Sequence, residues 1–239
     1  MICSAYGQNG IDQGIVIFDQ DKVNKQVINL SGKANMVIET DSFLITSVQE
    51  KNRYYLEFYA DQKRFDRIET TYFYSYGHFS NGYLLLASFN DGIDSTYHLE
   101  TKKWCHHKHH RDGFVRNGRS HYIQKIKEKI ISIDNAYQQI YCYEDDELKK
   151  FTVINFDEFI NLRLASYDLD KNELYINTEV SNEVIVLNLD TLKECYRIKL
   201  SDNKQVFSGG HSYDAVHKKL FISMRKEDCI YVQDTTNQL

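Results

Sequence analysis

The chain has 239 residues, of which 42% are hydrophobic and 13% aromatic, so it has enough apolar side chains for a folded core. Its formal net charge is -5, and acidic and basic residues are interspersed along its length. Proteins that bind nucleic acid or anionic membranes usually carry a basic patch, so this charge pattern argues against both partners.

The N-terminal segment carries no targeting signal that we recognise. Residues 1–10 lack a basic stretch followed by an apolar one, and no apolar run approaches the roughly 18 residues of a membrane span. The five cysteines are far apart and mostly embedded in strand-like runs, as is typical of reduced, buried thiols. We therefore expect a cytoplasmic protein.

In chain order, the N-terminal segment predicts three short strands, at residues 2–6, 14–18 and 25–30. Blade-like units follow, in which runs rich in β-branched and aromatic residues are separated by turns containing Asp, Asn or Ser. These units lie near residues 31–72, 73–115, 116–158 and 159–203, and a partial unit has apolar runs at 219–225 and 229–232.

The unit length of about forty to forty-five residues is the period of a four-stranded propeller blade. It predicts an all-β fold, a β-propeller of four-stranded antiparallel blades with about five to six blades in this chain. Residues 122–133 also suit a helix, because Lys and Glu are good helix formers, but their alternation favours a hairpin. No linker marks a boundary, so residues 1–239 are predicted to form a single domain.

Two stretches resemble a known family. Ala5 to Gly10, followed by Gln13 to Phe18, is similar to the opening strands of the lactonase family of β-propellers. This family includes propeller-type 6-phosphogluconolactonases and carboxy-muconate cycloisomerases. The stronger match runs from Arg163 to Val186, in which Arg163 and Glu179 fall on a family Arg and Glu without a gap. The same stretch, continued to Lys193, also resembles YVTN-type propeller repeats that bind without catalysing a reaction.

The resemblance implies a site at the mouth of the central channel. It would be built from His121, Arg163, Glu179 and Arg225 as catalytic residues. Further residues would contact the substrate there, namely Arg119, His211, Glu50 and His78. Arg119 departs from the family, which has a His at that position. The chain is also shorter than family members, so we expect either a shortened relative or a ring in which the N-terminal strands complete the last sheet.

Such a set of side chains suits lactone hydrolysis without a metal or a cofactor. Cationic donors stabilise the charge that develops on the carbonyl oxygen, while Glu179 or His121 serves as general base. The expected ligand is a small sugar lactone or carboxylate, plausibly 6-phosphogluconolactone. Two alternatives stay open: a non-catalytic propeller that binds a partner, and a cycloisomerase. Arg163 and Glu179 could also form nothing more than a salt bridge.

The run from Cys105 to His110 contains Cys, His and Lys only. Cys and His side chains can hold zinc, nickel or copper, but the neighbouring Lys102, Lys103 and Arg111 oppose a cation. We expect this run to be a solvated loop between blades. The sequence contains no nucleotide-binding fingerprint and no metalloprotease or serine-hydrolase motif.

Overall fold

A computed structural model describes residues 2–5, 14–18, 25–112, 118–158, 160–200, 208–224 and 229–236. All regular elements in these ranges are β-strands, numbered here in chain order. Among these residues no helix is long and apolar enough to cross a membrane.

The N-terminal half forms three antiparallel sheets. The first has the order β1-β2-β3 and contains β1 (Ile2–Ala5), β2 (Gly14–Phe18) and β3 (Lys25–Asn29). The second has the order β4-β5-β6-β7 and contains β4 (Lys33–Glu39), β5 (Leu44–Glu50), β6 (Arg53–Ala60) and β7 (Lys63–Thr70). The third has the order β11-β10-β9-β8 and contains β8 (Tyr76–Ser80), β9 (Tyr83–Ser88), β10 (Ile93–His98) and β11 (Trp104–Lys108).

Three further sheets follow. One contains β12 (Ser120–Ile126), β13 (Lys129–Asp134), β14 (Gln139–Tyr143) and β15 (Phe151–Asn155), in that order. The next contains β16 (Leu162–Asp168), β17 (Glu173–Thr178), β18 (Glu183–Asn188) and β19 (Glu194–Lys199), again in chain order. The last contains β20 (Ser208–Asp214), β21 (Lys219–Met224) and β22 (Cys229–Asp234).

Four of the six sheets confirm the predicted four-stranded antiparallel blades, while the first and last contain three strands in the described residues; the hairpin at residues 122–133 is also confirmed. Two expectations are wrong. The strands β1, β2 and β3 pair with one another in a sheet of their own, so they do not complete the last sheet in the part of the chain that the structure describes. Residues 104–108 are not a loop but the strand β11, which pairs with β10.

The chain divides into two compact units, each with its own core. The first comprises Met1–Ser132 and Cys142–Phe151, and the second comprises Ile133–Tyr141 and Thr152–Leu239. Alternate apolar residues of neighbouring strands supply both cores, as the two-residue period of a strand requires. The first core includes Met36, Ile38, Ile45, Leu56, Phe58, Tyr74, Leu84, Leu86 and Tyr97. The second includes Tyr175, Val184, Val186, Ile198, Leu200, Leu220, Ile222 and Met224.

The turn between β9 and β10 packs tightly against the segment that precedes β12. Gly92 has a φ of 59°, and a Cβ at this position would lie 2.4 Å from the carbonyl carbon of Gly118. The close approach of two backbones allows only glycine here. It brings the start of β10 next to the start of β12.

We expect Gly92→Ala to lower the free energy of unfolding by roughly 2–4 kcal/mol, which combines the cost of left-handed backbone with overpacking. Gly210→Ala is the matched control, because a Cβ there meets nothing within 4 Å. The control should change stability by less than about 0.5 kcal/mol. Denaturant unfolding of both variants checks the difference, and equal effects would contradict the tight packing of Gly92.

Candidate functional site

Arg163 and Glu179 lie together at one end of the β16–β17 hairpin. Arg163 is the second residue of β16, and Glu179 directly follows β17. The strands pair from Leu162 opposite Thr178, with an irregularity between Leu162 and Ala165 that shifts the register. A β-bulge of this kind redirects side chains and is common beside functional sites. Because the two strands are antiparallel, the start of β16 and the end of β17 lie side by side, and both charged groups lie at this end of the hairpin.

The Arg163 guanidinium donates two hydrogen bonds to one carboxylate oxygen of Glu179. The bond from Nε to Oε2 measures 2.8 Å, and Nη2 donates to the same oxygen. The side chains are partly open to solvent, with exposures of 20% for Arg163 and 12% for Glu179. This ion pair is held in one orientation and keeps a small exposure to solvent.

Asn161 completes this group, and neighbouring residues hold it in place. Its Nδ2 donates to Oε2 of Glu179, and its backbone has a φ of 57°. Gln138 Oε1 accepts the Asn161 backbone N–H at 2.7 Å, while Asn135 Nδ2 donates to the Asn161 side chain. The Glu179 carboxylate is thus oriented by a supporting layer of amides that the sequence analysis missed.

His121 and Arg119 lie in the first unit and contact the same aromatic ring. The Arg119 guanidinium carbon is 5.2 Å from the centre of the Phe89 ring, within the range of a cation–π interaction. The imidazole of His121 meets the Phe89 ring edge to face, with 5.2 Å between centroids. Arg119 is exposed and His121 half-buried. The structure therefore groups these two predicted residues around Phe89.

Glu50 and His78 belong to other surroundings within the same unit. Glu50 ends β5 and pairs with Arg67, whose hydrogen bond lowers the pKa of the Glu50 carboxyl. Arg67 also lies 3.0 Å from the fully buried Glu57 carboxylate. His78 lies in the middle of β8, where burial lowers the pKa of its imidazole. Glu50 and His78 are therefore not part of the group around Phe89.

Two further predicted residues, His211 and Arg225, belong to the C-terminal part of the chain. Arg225 lies outside the described residues. The backbone of His211 lies in β20, opposite Ile222 of β21. Arg163 and Glu179 are therefore the two predicted catalytic residues that the structure brings into contact.

A second polar cluster, centred on Asp94, was not anticipated. The fully buried Asp94 carboxylate accepts a hydrogen bond from Tyr143 at 2.7 Å, from Ser120, and lies 2.7 Å from Nε2 of His109. Burial alone would raise the pKa of Asp94, but the charge and hydrogen bond of His109 and the two hydroxyls lower it overall. His109 was expected in a solvated loop, so this part of the prediction is wrong.

The Asp94 cluster differs from a catalytic triad. Ser120 donates to the carboxylate and not to the imidazole, and all these side chains are buried, so no substrate reaches the hydroxyl. Its role is to stabilise the contacts of β10 with neighbouring strands. Among the described residues, no group of three or more His, Cys, Asp or Glu side chains is arranged to hold a metal.

No known family model matches the sequence, and no curated protein is significantly similar to it. Solved structures do resemble the fold. A candidate 6-phosphogluconolactonase of Bacteroides uniformis superposes with a TM-score of 0.79 at 15% identity, covering 100% of this chain and 79% of that one. The periplasmic gluconolactonase PpgL of Pseudomonas aeruginosa gives 0.75 at 11% identity, covering 100% and 84% of the two chains.

A third similar structure comes from a protein of another kind. The Cps50 (Swd1) β-propeller domain of Myceliophthora thermophila has a TM-score of 0.75 at 10% identity, covering 98% of this chain and 83% of that one. At such identities the likeness shows the fold alone. The fold is a β-propeller with four-stranded antiparallel blades, as the sequence predicted, and its structural neighbours include proteins named as lactonases.

Proposed function

We propose that the chain hydrolyses a sugar-derived lactone at the site of Arg163 and Glu179. The observation that carries the proposal is the oriented, partly exposed ion pair between these two residues at the end of a hairpin. The sequence resemblance to lactonase propellers assigns function to the same two positions. The lactonase names of two structural neighbours agree with this reaction class.

In the proposed reaction a water molecule attacks the lactone carbonyl carbon. Glu179 accepts a proton from the water as the new C–O bond forms, and the carbonyl electron pair moves onto its oxygen. The Arg163 guanidinium stabilises this developing negative charge. The tetrahedral intermediate then collapses, the bond to the ring oxygen breaks, and that oxygen takes up the proton, so the product is an open-chain hydroxy acid.

Two further predicted residues, Arg225 and His211, would also contact the substrate. We propose Arg225 as an anion-binding group for a substrate phosphate. His211 would have a supporting role. 6-Phosphogluconolactone is the proposed substrate because two arginines, Arg163 and Arg225, accompany the Glu179 carboxylate and could bind both the oxyanion and a phosphate.

Arg163→Ala should reduce catalysed opening of 6-phosphogluconolactone by about 10²–10³-fold, the usual cost of removing a group that stabilises an oxyanion. The measurement is lactone loss over time, corrected for spontaneous hydrolysis, with plain gluconolactone as a second substrate. Arg197→Ala is the matched control, because Arg197 also pairs with glutamates, on the outer strand β19. Equal rates in the two variants would remove Arg163 from the mechanism.

A non-catalytic propeller is the second candidate, and one observation favours it. Arg163 and Glu179 bond to each other, which is also how a structural pair satisfies its charges. If the folded wild-type protein does not accelerate lactone opening, this binding function becomes the better assignment. Substrate analogues such as gluconate and 6-phosphogluconate would then be tested as ligands.

A further inference from the structure

A cavity of about 240 Å³ opens between the outer strands of the second and third sheets. Its lining residues come from the end of β7, the following connection and β11. They are Glu69, Thr70, Thr71, Tyr74, Trp104 and His106. None of these residues belongs to the proposed lactone site.

Aromatic rings form one wall of this cavity. Trp104 and His106 are two positions apart on β11 and so share a face of the sheet. Their rings are nearly parallel, 5.5 Å apart, and the Tyr74 ring is parallel to Trp104 at 6.3 Å. Tyr97 packs against Trp104 at 4.5 Å and supports it within the unit. The wall is aromatic and is held by its neighbours.

A hydrogen-bond relay of two buried hydroxyl groups fixes the protonation of His106. The Tyr74 hydroxyl donates to Ser95 Oγ at 3.0 Å, and Ser95 Oγ lies 2.8 Å from Nδ1 of His106. Ser95 and Tyr74 are fully buried, so each hydroxyl proton needs a partner. Both are satisfied only if Tyr74 donates to Ser95 and Ser95 donates to Nδ1.

This arrangement makes Nδ1 an acceptor and leaves the proton of the neutral ring on Nε2, at the side away from Ser95. Burial lowers the pKa of the imidazole, which also favours the neutral form. His106 lines the cavity, and the only N–H of its neutral ring is held on the side away from Ser95. A cationic ligand would meet the positive end of this N–H dipole.

Glu69 supplies the complementary acceptor. Its nearest cation is Nη1 of Arg53, at 3.6 Å, and the two side chains are 58% and 68% exposed. An exposed pair at this distance holds the carboxylate weakly, so a ligand can compete for it. Thr71 adds a hydroxyl to the lining. The cavity thus combines an aromatic wall, one N–H donor and one strong acceptor.

We propose that this cavity binds a saccharide ring. Sugar hydroxyls donate to a carboxylate and accept from an imidazole N–H, and the weakly positive C–H groups of a pyranose ring suit the negative face of an aromatic ring. A neutral polyol fits better than an organic ammonium, which would gain from the rings and from Glu69 but oppose the His106 N–H. An aromatic wall with a few convergent polar groups is a combination that suits a small ligand.

The single tryptophan of the chain is Trp104, so intrinsic indole fluorescence reports on this cavity directly. The titration uses glucose, maltose and, as the cationic competitor, tetramethylammonium chloride with a matched sodium chloride series. We expect a saturable change in emission with glucose or maltose. Glu69→Gln should weaken this binding about tenfold or more, as for the loss of a charged hydrogen-bond partner.

Two further variants sharpen the test. His106→Phe keeps the aromatic wall and removes the N–H, so it should weaken sugar binding about fivefold. Glu128→Gln, an exposed glutamate in the turn between β12 and β13, should bind sugar like the wild type. Arg163→Ala should also retain sugar binding at Trp104, which separates this site from the lactone site.

The proposal fails if neither sugar changes the emission, or if Glu69→Gln and His106→Phe both bind sugar with wild-type affinity. A saturable response to tetramethylammonium alone, lost in Glu69→Gln, would reassign the cavity to an organic cation. Saturation-transfer NMR with maltose gives an independent measure of binding in every variant. Thermal unfolding of each variant shows whether it is folded.

Discussion

Asp94→Asn is expected to lower the free energy of unfolding by roughly 3–5 kcal/mol, the range for removing one partner from a buried charged network. The aspartate accepts from Tyr143 and Ser120 and faces His109, all within a buried site. The amide that replaces it has one acceptor oxygen and adds two N–H donors. At least one buried donor is then left without a partner. Denaturant unfolding, followed by circular dichroism, measures the loss.

The same segment offers a matched control. His110 and Asp112 form a second histidine–aspartate pair, with 3.0 Å between Nε2 and Oδ1, but on the surface. Exposed pairs of this kind contribute about 0–1 kcal/mol, so Asp112→Asn should be close to neutral. If Asp94→Asn were equally mild, the buried network would not be the source of stability that its geometry indicates.

The pH dependence of stability gives a second check on Asp94. Its pKa in the folded protein lies below the ordinary value of about 4 for an aspartate. Its contribution is therefore fully present above that ordinary value and is lost as the pH falls through the lower, folded pKa. The difference in stability between wild type and Asp94→Asn should be largest near neutral pH and should shrink below about pH 4.

The strands were predictable because their signal is local. Short runs rich in apolar residues, as in β13 and β17, are buried over almost their whole length and need no distant partner to be recognised. β11 was missed for the opposite reason: Cys, His and Lys follow Trp104 and suggest a polar loop. His106 of β11 and His109 just after it contact Ser95 and Asp94 of the preceding strand β10, and no local pattern reveals these contacts.

The same contrast between local signals and contacts set by packing applies to the candidate site. Arg163 and Glu179 were found because a continuous stretch of sequence carries both, and they meet at 2.8 Å. Asn161 was missed, although it bonds to the same carboxylate, because its position depends on a left-handed backbone and on Gln138 of another loop. Polar support of this kind is set by the packing of loops and not by a motif.

Glu179→Gln is expected to reduce catalysed lactone hydrolysis by about 10²–10⁴-fold, the usual contribution of a general base. Glutamine has the same shape and keeps an acceptor oxygen for Arg163 and Asn161, so the hydrogen-bonded arrangement is retained while the basic group is lost. Initial rates with 6-phosphogluconolactone, corrected for spontaneous opening, give kcat/KM for both proteins. Near-ultraviolet circular dichroism should show the variant folded.

Glu183→Gln is the control that makes this result specific. Glu183 lies four positions further along the chain, on β18, and is also bound by an arginine, with 3.3 Å between Oε2 and Nη1 of Arg197. Both variants remove one carboxylate from an arginine pair in the same sheet, but Glu179 alone is held by Asn161 at the hairpin end. If Glu179→Gln loses lactone hydrolysis and Glu183→Gln does not, Glu179 is the general base. If Glu179→Gln hydrolyses the lactone at the wild-type rate, Arg163 and Glu179 form a structural ion pair.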